Sequence, residues 1–388
     1  TLHASSGLLS TTPEDVNLPG HGLHKLRDDP EHPSEGGGRP KPFIGRYSPA
    51  GTSFVIHAPA MPRAPLTVFK FGGTSVGAPD RLRRVVDVVT AAAGEGQVVV
   101  VASALSNVTR QLSGGLETFV AHLNGGREDP EAVRRELRAT LRARHTAQAE
   151  AVLSPAMQAR YAVVVEERLA DLNETLAAVR EEGFTPARRD AVLAIGEQLS
   201  VPMVHCALHD AGLVAPLGDA TRRVVTDDTF GEAAVQLKAT TRAVRAWHAA
   251  CPDGSVPVIA GFIGGTPGGA GAVTTTTLGF EGSDYSAALV AAILDADRLI
   301  RYTDVDGLYT DDPRQHPGAT RIEQLSMEKA FALTESGRLG MHSKTLRPLA
   351  QTGIPLYIRS ILDPEAPGTS IVPKSVAVAK RDPTAGRG

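Results

Sequence analysis

The chain has 388 residues, of which 42% are hydrophobic and 21% charged, with a formal net charge of −3. That composition fits a globular protein of one large domain or two moderate ones, and its charge gives no electrostatic reason to expect nucleic-acid binding. With no run of about 18 apolar residues, no basic-then-apolar leader at the start, and only Cys206 and Cys251 without metal spacing, neither a membrane span nor export is predicted, and a reducing cytoplasm is the expected setting.

Residues 1–60 are crowded with Pro, Gly, His, Ser and Asp and hold no period of 2 or 3.6. Such a segment cannot bury enough surface to offset its ordering entropy, so it is expected to be a disordered extension. Met61, just before the first strand, is a candidate native start.

Thr67-Val-Phe-Lys-Phe-Gly-Gly-Thr-Ser-Val-Gly77 is the stretch around which the chain is organised. Its β-forming residues carry one buried-looking lysine, Lys70, and end in Gly72, Gly73, Thr74 and Ser75. Backbone N–H groups at such a strand end are open to a phosphate that only glycine lets approach closely, and the lysine adds a point charge. An ordinary glycine-rich turn with a surface-seeking lysine accounts for these residues equally well. The spacing is not that of a P-loop.

Helical spacing of Leu82, Val85, Val86 and Val89 predicts a helix from about Pro79 to Ala93. Gln97–Ala102 reads as a buried parallel strand. Its small, hydroxyl-rich end, Ser103-Ala-Leu-Ser-Asn-Val-Thr109, should face the same site as Gly72-Gly73, because ligands of open parallel sheets sit at the C-terminal strand ends. From about Gly115 to Glu182 the pattern is a long helical insertion with breaks near Asn124 and Leu153-Ser-Pro155. Glu166–Asp171 reads as a solvated helix face. Arg188–Ser200 is another helix, in which Glu197 follows Gly196. Leu213–Leu217 and Val256–Gly264 are predicted strands, the second running into a glycine-rich stretch that also suits a hairpin tip. Gly279 to Leu294 opens and forms an apolar helix with Ser283 and Asp284 at its N-terminus, where both suit caps and the helix end suits an anion. Leu299–Arg314 is a strand followed by an acidic loop whose paired carboxylates could help hold Mg²⁺, with Asx-turns the simpler account of at least some of the aspartates. Helices from about Met327 and His342, the strand Pro355–Arg359 and a polar tail after Pro373 complete the chain.

Several of these segments together resemble the aspartate kinases of the amino-acid kinase family: Lys70–Gly77, Ser103–Thr109, Gly196-Glu-Gln-Leu-Ser200, Thr275–Gly279 with Gly282-Ser-Asp-Tyr-Ser286, and Thr303–Arg314, in the family's order. The resemblance covers about 67–373 and implies an α/β fold, a three-layer αβα sandwich around a mainly parallel sheet, with one catalytic domain over 61–373 and a flexible tail over 374–388. It implies ATP-dependent phosphorylation of the aspartate side chain, the first step toward lysine, threonine and methionine, in a cytoplasmic homodimer. ATP and Mg²⁺ are the implied cofactors, the metal carried by the nucleotide, with no dedicated protein metal site. Position by position, Lys70 and Asp284 would be catalytic, and Gly72, Gly73, Thr74 and Ser75 would cradle the phosphoryl group. Thr109, Glu197 and Ser283 would hold the amino acid, Glu197 pairing its ammonium. Thr303, Asp304, Tyr309, Asp312, Arg314 and, in place of a family lysine, Arg338 would bind ATP.

Three departures qualify the resemblance. Phe280 and Glu281 stand where the family has the arginine that binds the substrate α-carboxylate and a glycine. A hydrogen bond to a charged group is worth ~1.5–3 kcal/mol, so weaker aspartate binding, a substitute cation or a different acceptor follows. Leu339 stands where the family has its nucleotide-contacting lysine, which raises the alternative of a weakened, nucleotide-binding regulatory paralogue. The chain also stops where the family continues into ACT regulatory domains, so inhibition through such domains is not expected.

Overall fold

The computed structural model describes residues 64–125, 129–311, 316, 318–335 and 341–373. The expectations for residues 1–60, Met61 and the tail after Pro373 lie outside them, as do Asp312, Arg314, Arg338 and Leu339.

The first unit is β1 (Leu66–Phe71), the single turn α1 (Gly73–Val76), α2 (Pro79–Ala93) and β2 (Gln97–Ala102). Four long helices follow: α3 (Val108–Leu123), α4 (Pro130–Val152), α5 (Pro155–Glu182) and α6 (Pro186–Asp210). The last three each begin with a side-chain cap before a proline, in which Asp129, Ser154 and Thr185 accept from the N–H groups of Glu131, Met157 and Arg188. Next come β3 (Leu217–Gly218), α7 (Ala220–Arg223), α8 (Leu237–Ala250), β4 (Val258–Ala260), and an antiparallel hairpin of β5 (Ile263–Pro267) and β6 (Val273–Thr277). The remainder is α9 (Gly282–Ile293), β7 (Arg298–Thr303), β8 (Leu308–Tyr309), β9 (Arg321–Ile322), β10 (Gln324–Ser326), α10 (Met327–Glu335), α11 (Ser343–Thr352), β11 (Leu356–Ser360) and β12 (Thr369–Val372).

Eight strands form one sheet in the order β10-β12-β11-β7-β1-β2-β4-β3, with every neighbouring pair parallel except β11 with β12. Residues of β1 and β2 are buried on both faces, as parallel central strands require. Helix α9 packs on β1, β2 and β7, together with α8 and α11, while α2 and α6 pack on β2 with α3, α4 and α5 beyond them. The result is the three-layer αβα sandwich around a mainly parallel sheet.

Several elements depart from the sequence expectation. Helix α6 runs ten residues past Ser200 to Asp210. By length and composition it is apolar enough to cross a membrane, but 78% of its apolar window is buried inside the fold, which makes it a core helix. The expected strand Leu213–Leu217 shrinks to Leu217–Gly218, although Val256 and Val258 still donate to Val214 O and Pro216 O; Pro216 has no N–H to return. The expected strand Val256–Gly264 breaks in two at Phe262, whose φ is +66°. A Cβ on Gly261 would meet Ser283 Cβ at 2.7 Å, so the chain leaves the sheet where α9 arrives. The glycine-rich stretch after it is the hairpin tip. Helix α8 and strands β9, β10 and β12 add to the elements expected from the sequence.

Candidate active site

The site begins where β1 and β2 end side by side. Ser106 donates from both its N–H (3.2 Å) and its Oγ (2.8 Å) to Gly73 O, fastening the turn after β2 to the turn after β1. A Cβ on Gly73 would lie 2.8 Å from Ala104 O, so this approach requires glycine. Lys70 passes over Gly72, where an added Cβ would sit 3.3 Å from Nζ. The leading N–H groups of the Gly73–Val76 turn have no partner within it. Ser75 departs from its predicted role. It is fully buried, its N–H donates to Gly72 O and its Oγ to Tyr302 O, so it braces the turn against β7 and has no donor left for a phosphate.

Lys70 is 6% exposed and does not seek the surface. Its Nζ lies 2.7 Å from Asp284 Oδ1, and Arg301 Nε lies 3.2 Å from each oxygen of the same carboxylate. Asp284 therefore bridges two cations and does not cap α9, whose N-terminus has no side-chain cap. Burial pushes the Asp284 carboxyl up, but Arg301 and Lys70 outweigh it and hold the group below its ordinary value. Burial lowers Lys70, opposed by Asp284 and reinforced by Arg301. Sequence reasoning did not single out Arg301; its signal was a cation in the middle of β7, between Ile300 and Tyr302.

On the β2 and β4 side of Lys70 lies a cavity of about 640 Å³ lined by Thr109, Glu197, Phe262, Phe280 and Ser283 among others. All three residues assigned to the amino acid thus share one chamber. Glu197 is not a solvated helix residue but 1% exposed. Its Oε1 accepts from Ala104 N (3.1 Å) and Ser103 Oγ (3.4 Å), while Oε2 has no partner. Burial raises its pKa to about 7, against the lowering by those hydrogen bonds and by Lys70. Gly196 allows this: a Cβ there would meet Ala104 Cβ at 2.9 Å. Phe280 stands 75% exposed at the cavity wall and offers nothing to a carboxylate. Glu281 occupies the left-handed region (φ +56°, ψ +23°), which favours glycine, and its carboxylate accepts from His342 N.

On the opposite side of Lys70, β7 leads into Thr303 and Asp304, which are joined by a 3.2 Å hydrogen bond. Tyr309 donates to Asp306 Oδ1 at 2.8 Å. Thr303 at the end of β7, Asp304 just after it and Tyr309 in β8 thus lie on one continuous segment. Asp304 and its neighbours belong to no cluster of three or more metal-ligating side chains among the described residues.

The profile of the amino acid kinase family matches residues 65–360. Lysine-sensitive aspartokinase 3 of Escherichia coli (strain K12) is 32% identical over 315 residues, covering 80% of this chain and 65% of that protein. The chloroplastic bifunctional aspartokinase/homoserine dehydrogenase 1 of Zea mays is 30% identical over 309 residues, covering 79% of this chain and 32% of that one. The crystal structure of E. coli aspartokinase III in complex with aspartate and ADP superposes with a TM-score of 0.70 at 30% identity, covering 80% of this chain and 65% of that one. The chain therefore spans 65% or less of the length of these relatives.

Proposed function

This chain belongs to the amino acid kinase family, and on that premise we propose that it transfers the γ-phosphoryl group of ATP to the side-chain carboxylate of aspartate. The observation that carries this reading is Glu197, a buried carboxylate with one unpartnered oxygen at the wall of a chamber beside Lys70. A buried anion without a partner is a receptor for a cation, and the ammonium of an amino acid supplies one.

The chemistry follows from charge. The acceptor carboxylate is ionised at neutral pH and needs no general base. One of its oxygens forms a bond to the γ-phosphorus as the bond to the β-phosphate oxygen breaks, ADP keeps the electron pair, and no proton moves. Lys70 neutralises charge on the phosphoryl group, the N–H groups at Gly73 and Thr74 hold it in line, and Asp284 fixes the lysine. Both oxygens of Asp284 are engaged by Lys70 and Arg301, so Mg²⁺ would ride on the phosphate oxygens, where it supplies further charge neutralisation. Thr303, Asp304 and Tyr309 line the nucleotide side, joined by Asp312, Arg314 and Arg338 from sequence. The acyl phosphate product enters lysine, threonine and methionine synthesis, and the working form is a cytoplasmic homodimer, which sedimentation velocity tests.

Phe280 favours a second reading, the same transfer to a different carboxylic acid. A coupled ADP-release assay with aspartate, glutamate and related acids separates the two. Turnover on aspartate is expected, abolished by Lys70→Ala with the fold intact, and Phe280→Arg should lower the KM for aspartate about tenfold. Turnover on another acid alone selects the second reading. ATP binding without turnover on any acid makes the chain a regulatory paralogue.

A further inference from the structure

Lys70 and Arg301 are in-register partners on the parallel strands β1 and β7. In-register neighbours project to the same face of a sheet, and both side chains reach one carboxylate, that of Asp284. Two cations on one anion leave a net positive charge at the strand ends. Of the Arg301 guanidinium only Nε is engaged; neither Nη makes a hydrogen bond among the described residues, and neither is buried without a partner. The Arg301 side chain is 20% exposed, against 7% for Lys70 and 5% for Asp284, so its open donors face accessible space.

The sheet order decides which ligand they face. The acceptor chamber is built from the ends of β2 and β4, through Ser103 and Phe262, on one side of β1. Strand β7 lies on the other side and ends at Thr303, with Asp304 next in the chain. Arg301 is thus across Lys70 from the acceptor.

We propose that Arg301 is a second phosphoryl-binding cation, which grips the γ-phosphoryl group in transfer with its free Nη donors while Nε stays on Asp284. The proposal rests on the kinase reading above. A planar guanidinium matches two phosphoryl oxygens where an ammonium meets one, and charge held ready in a shielded site acts where charge develops.

The rival account is that Arg301 only holds Asp284 in place through its hydrogen bond. Arg301→Gln separates the two, because the glutamine amide can still donate to Asp284 but carries no charge. We expect kcat to fall about a hundredfold, with KM for aspartate and for ATP within about threefold of the wild type. We also expect aluminium fluoride, which mimics the phosphoryl group in flight, to raise ADP affinity in the wild type in the presence of Mg²⁺ and not in the variant. If Arg301→Gln does not fold, Arg301→Lys is read the same way, with a smaller, about tenfold, loss of kcat. A folded variant with kcat within about threefold of wild type and an intact fluoride effect overturns the proposal, even if its melting temperature drops. Wild-type protein inactive on every acid overturns the kinase reading itself, whereas active wild type with an unchanged variant removes Arg301 alone.

Discussion

At the scale of the residue, Glu197 is held in a state that suits a ligand better than it suits the fold. Its folded pKa of about 7 lies above the ordinary 4.5. The folded state therefore binds more protons than the unfolded state between those values, so stability falls as pH rises through that window and the penalty is complete above pH 7. A shift of that size makes the penalty on the order of a few kcal/mol. Glu197→Gln keeps an acceptor for Ala104 N and removes the charge. The melting temperature of the ligand-free variant should exceed that of the wild type at pH 8 and match it near pH 4.5. Its KM for aspartate should rise by about 30-fold or more, because an ammonium then meets a neutral amide. A variant less stable than wild type at pH 8 removes the argument. Lys70 was legible as a lone cation beside paired glycines. Glu197 was legible only through resemblance, since a glutamate in a helix carries no local mark of burial. Ser75 reads as a ligand-facing hydroxyl until Tyr302 O is seen to claim it.

At the scale of the element, the acceptor chamber depends on a brace that its lining does not reveal. Asp190 on α6 is fully buried and accepts from Thr277 N (2.7 Å), Thr277 Oγ1 (3.0 Å) and Gly231 N (2.9 Å). It ties the end of β6 and the loop before α8 to the helix that carries Glu197. Asp190→Ala removes three bonds to a charged acceptor and leaves two backbone N–H groups unpaired, which should destabilise the fold by roughly 3–5 kcal/mol in denaturant titrations. A loss below about 1 kcal/mol would show that water replaces the brace. Asp190 lay unmarked in the sequence because an acidic residue near a helix start is usually solvated. The long helices were legible from their 3.6 period and the break at Leu153-Ser-Pro155, whereas the Asp129-Pro130 and Thr185-Pro186 openings show only in the structure. The central strands were legible as continuous apolar runs. The short strands were not: β9, β10 and β12 have two to four residues each and are fixed by pairing rather than by pattern. The split at Phe262 was hidden because a bulky residue at positive φ contradicts its own propensity, and such strain persists where the surroundings impose it.

At the scale of the whole molecule, the strand order keeps apart the two sides that the proposed reaction assigns to acceptor and donor. Strands β2 and β4 bring Ser103 and Phe262 to the acceptor side, and β7 brings Thr303 and Asp304 to the donor side, with β1 and its lysine on the boundary between them. A ligand that binds only the folded state stabilises it by about 2.7 kcal/mol at a hundredfold excess over its Kd. If the halves are separate, thermal shifts read each half alone. Nucleotide should raise the melting temperature of Glu197→Gln as much as that of the wild type, because Glu197 lies on the acceptor side. Aspartate should raise the melting temperature of the wild type and leave Glu197→Gln unmoved. Lys70→Ala, at the boundary, should lose most of the nucleotide shift and keep part of the aspartate shift, since Glu197, Thr109 and Ser283 remain. Loss of the nucleotide shift in Glu197→Gln would mean that the halves close as one unit, and that the acceptor chamber forms only when α6 and the β1 turn move together.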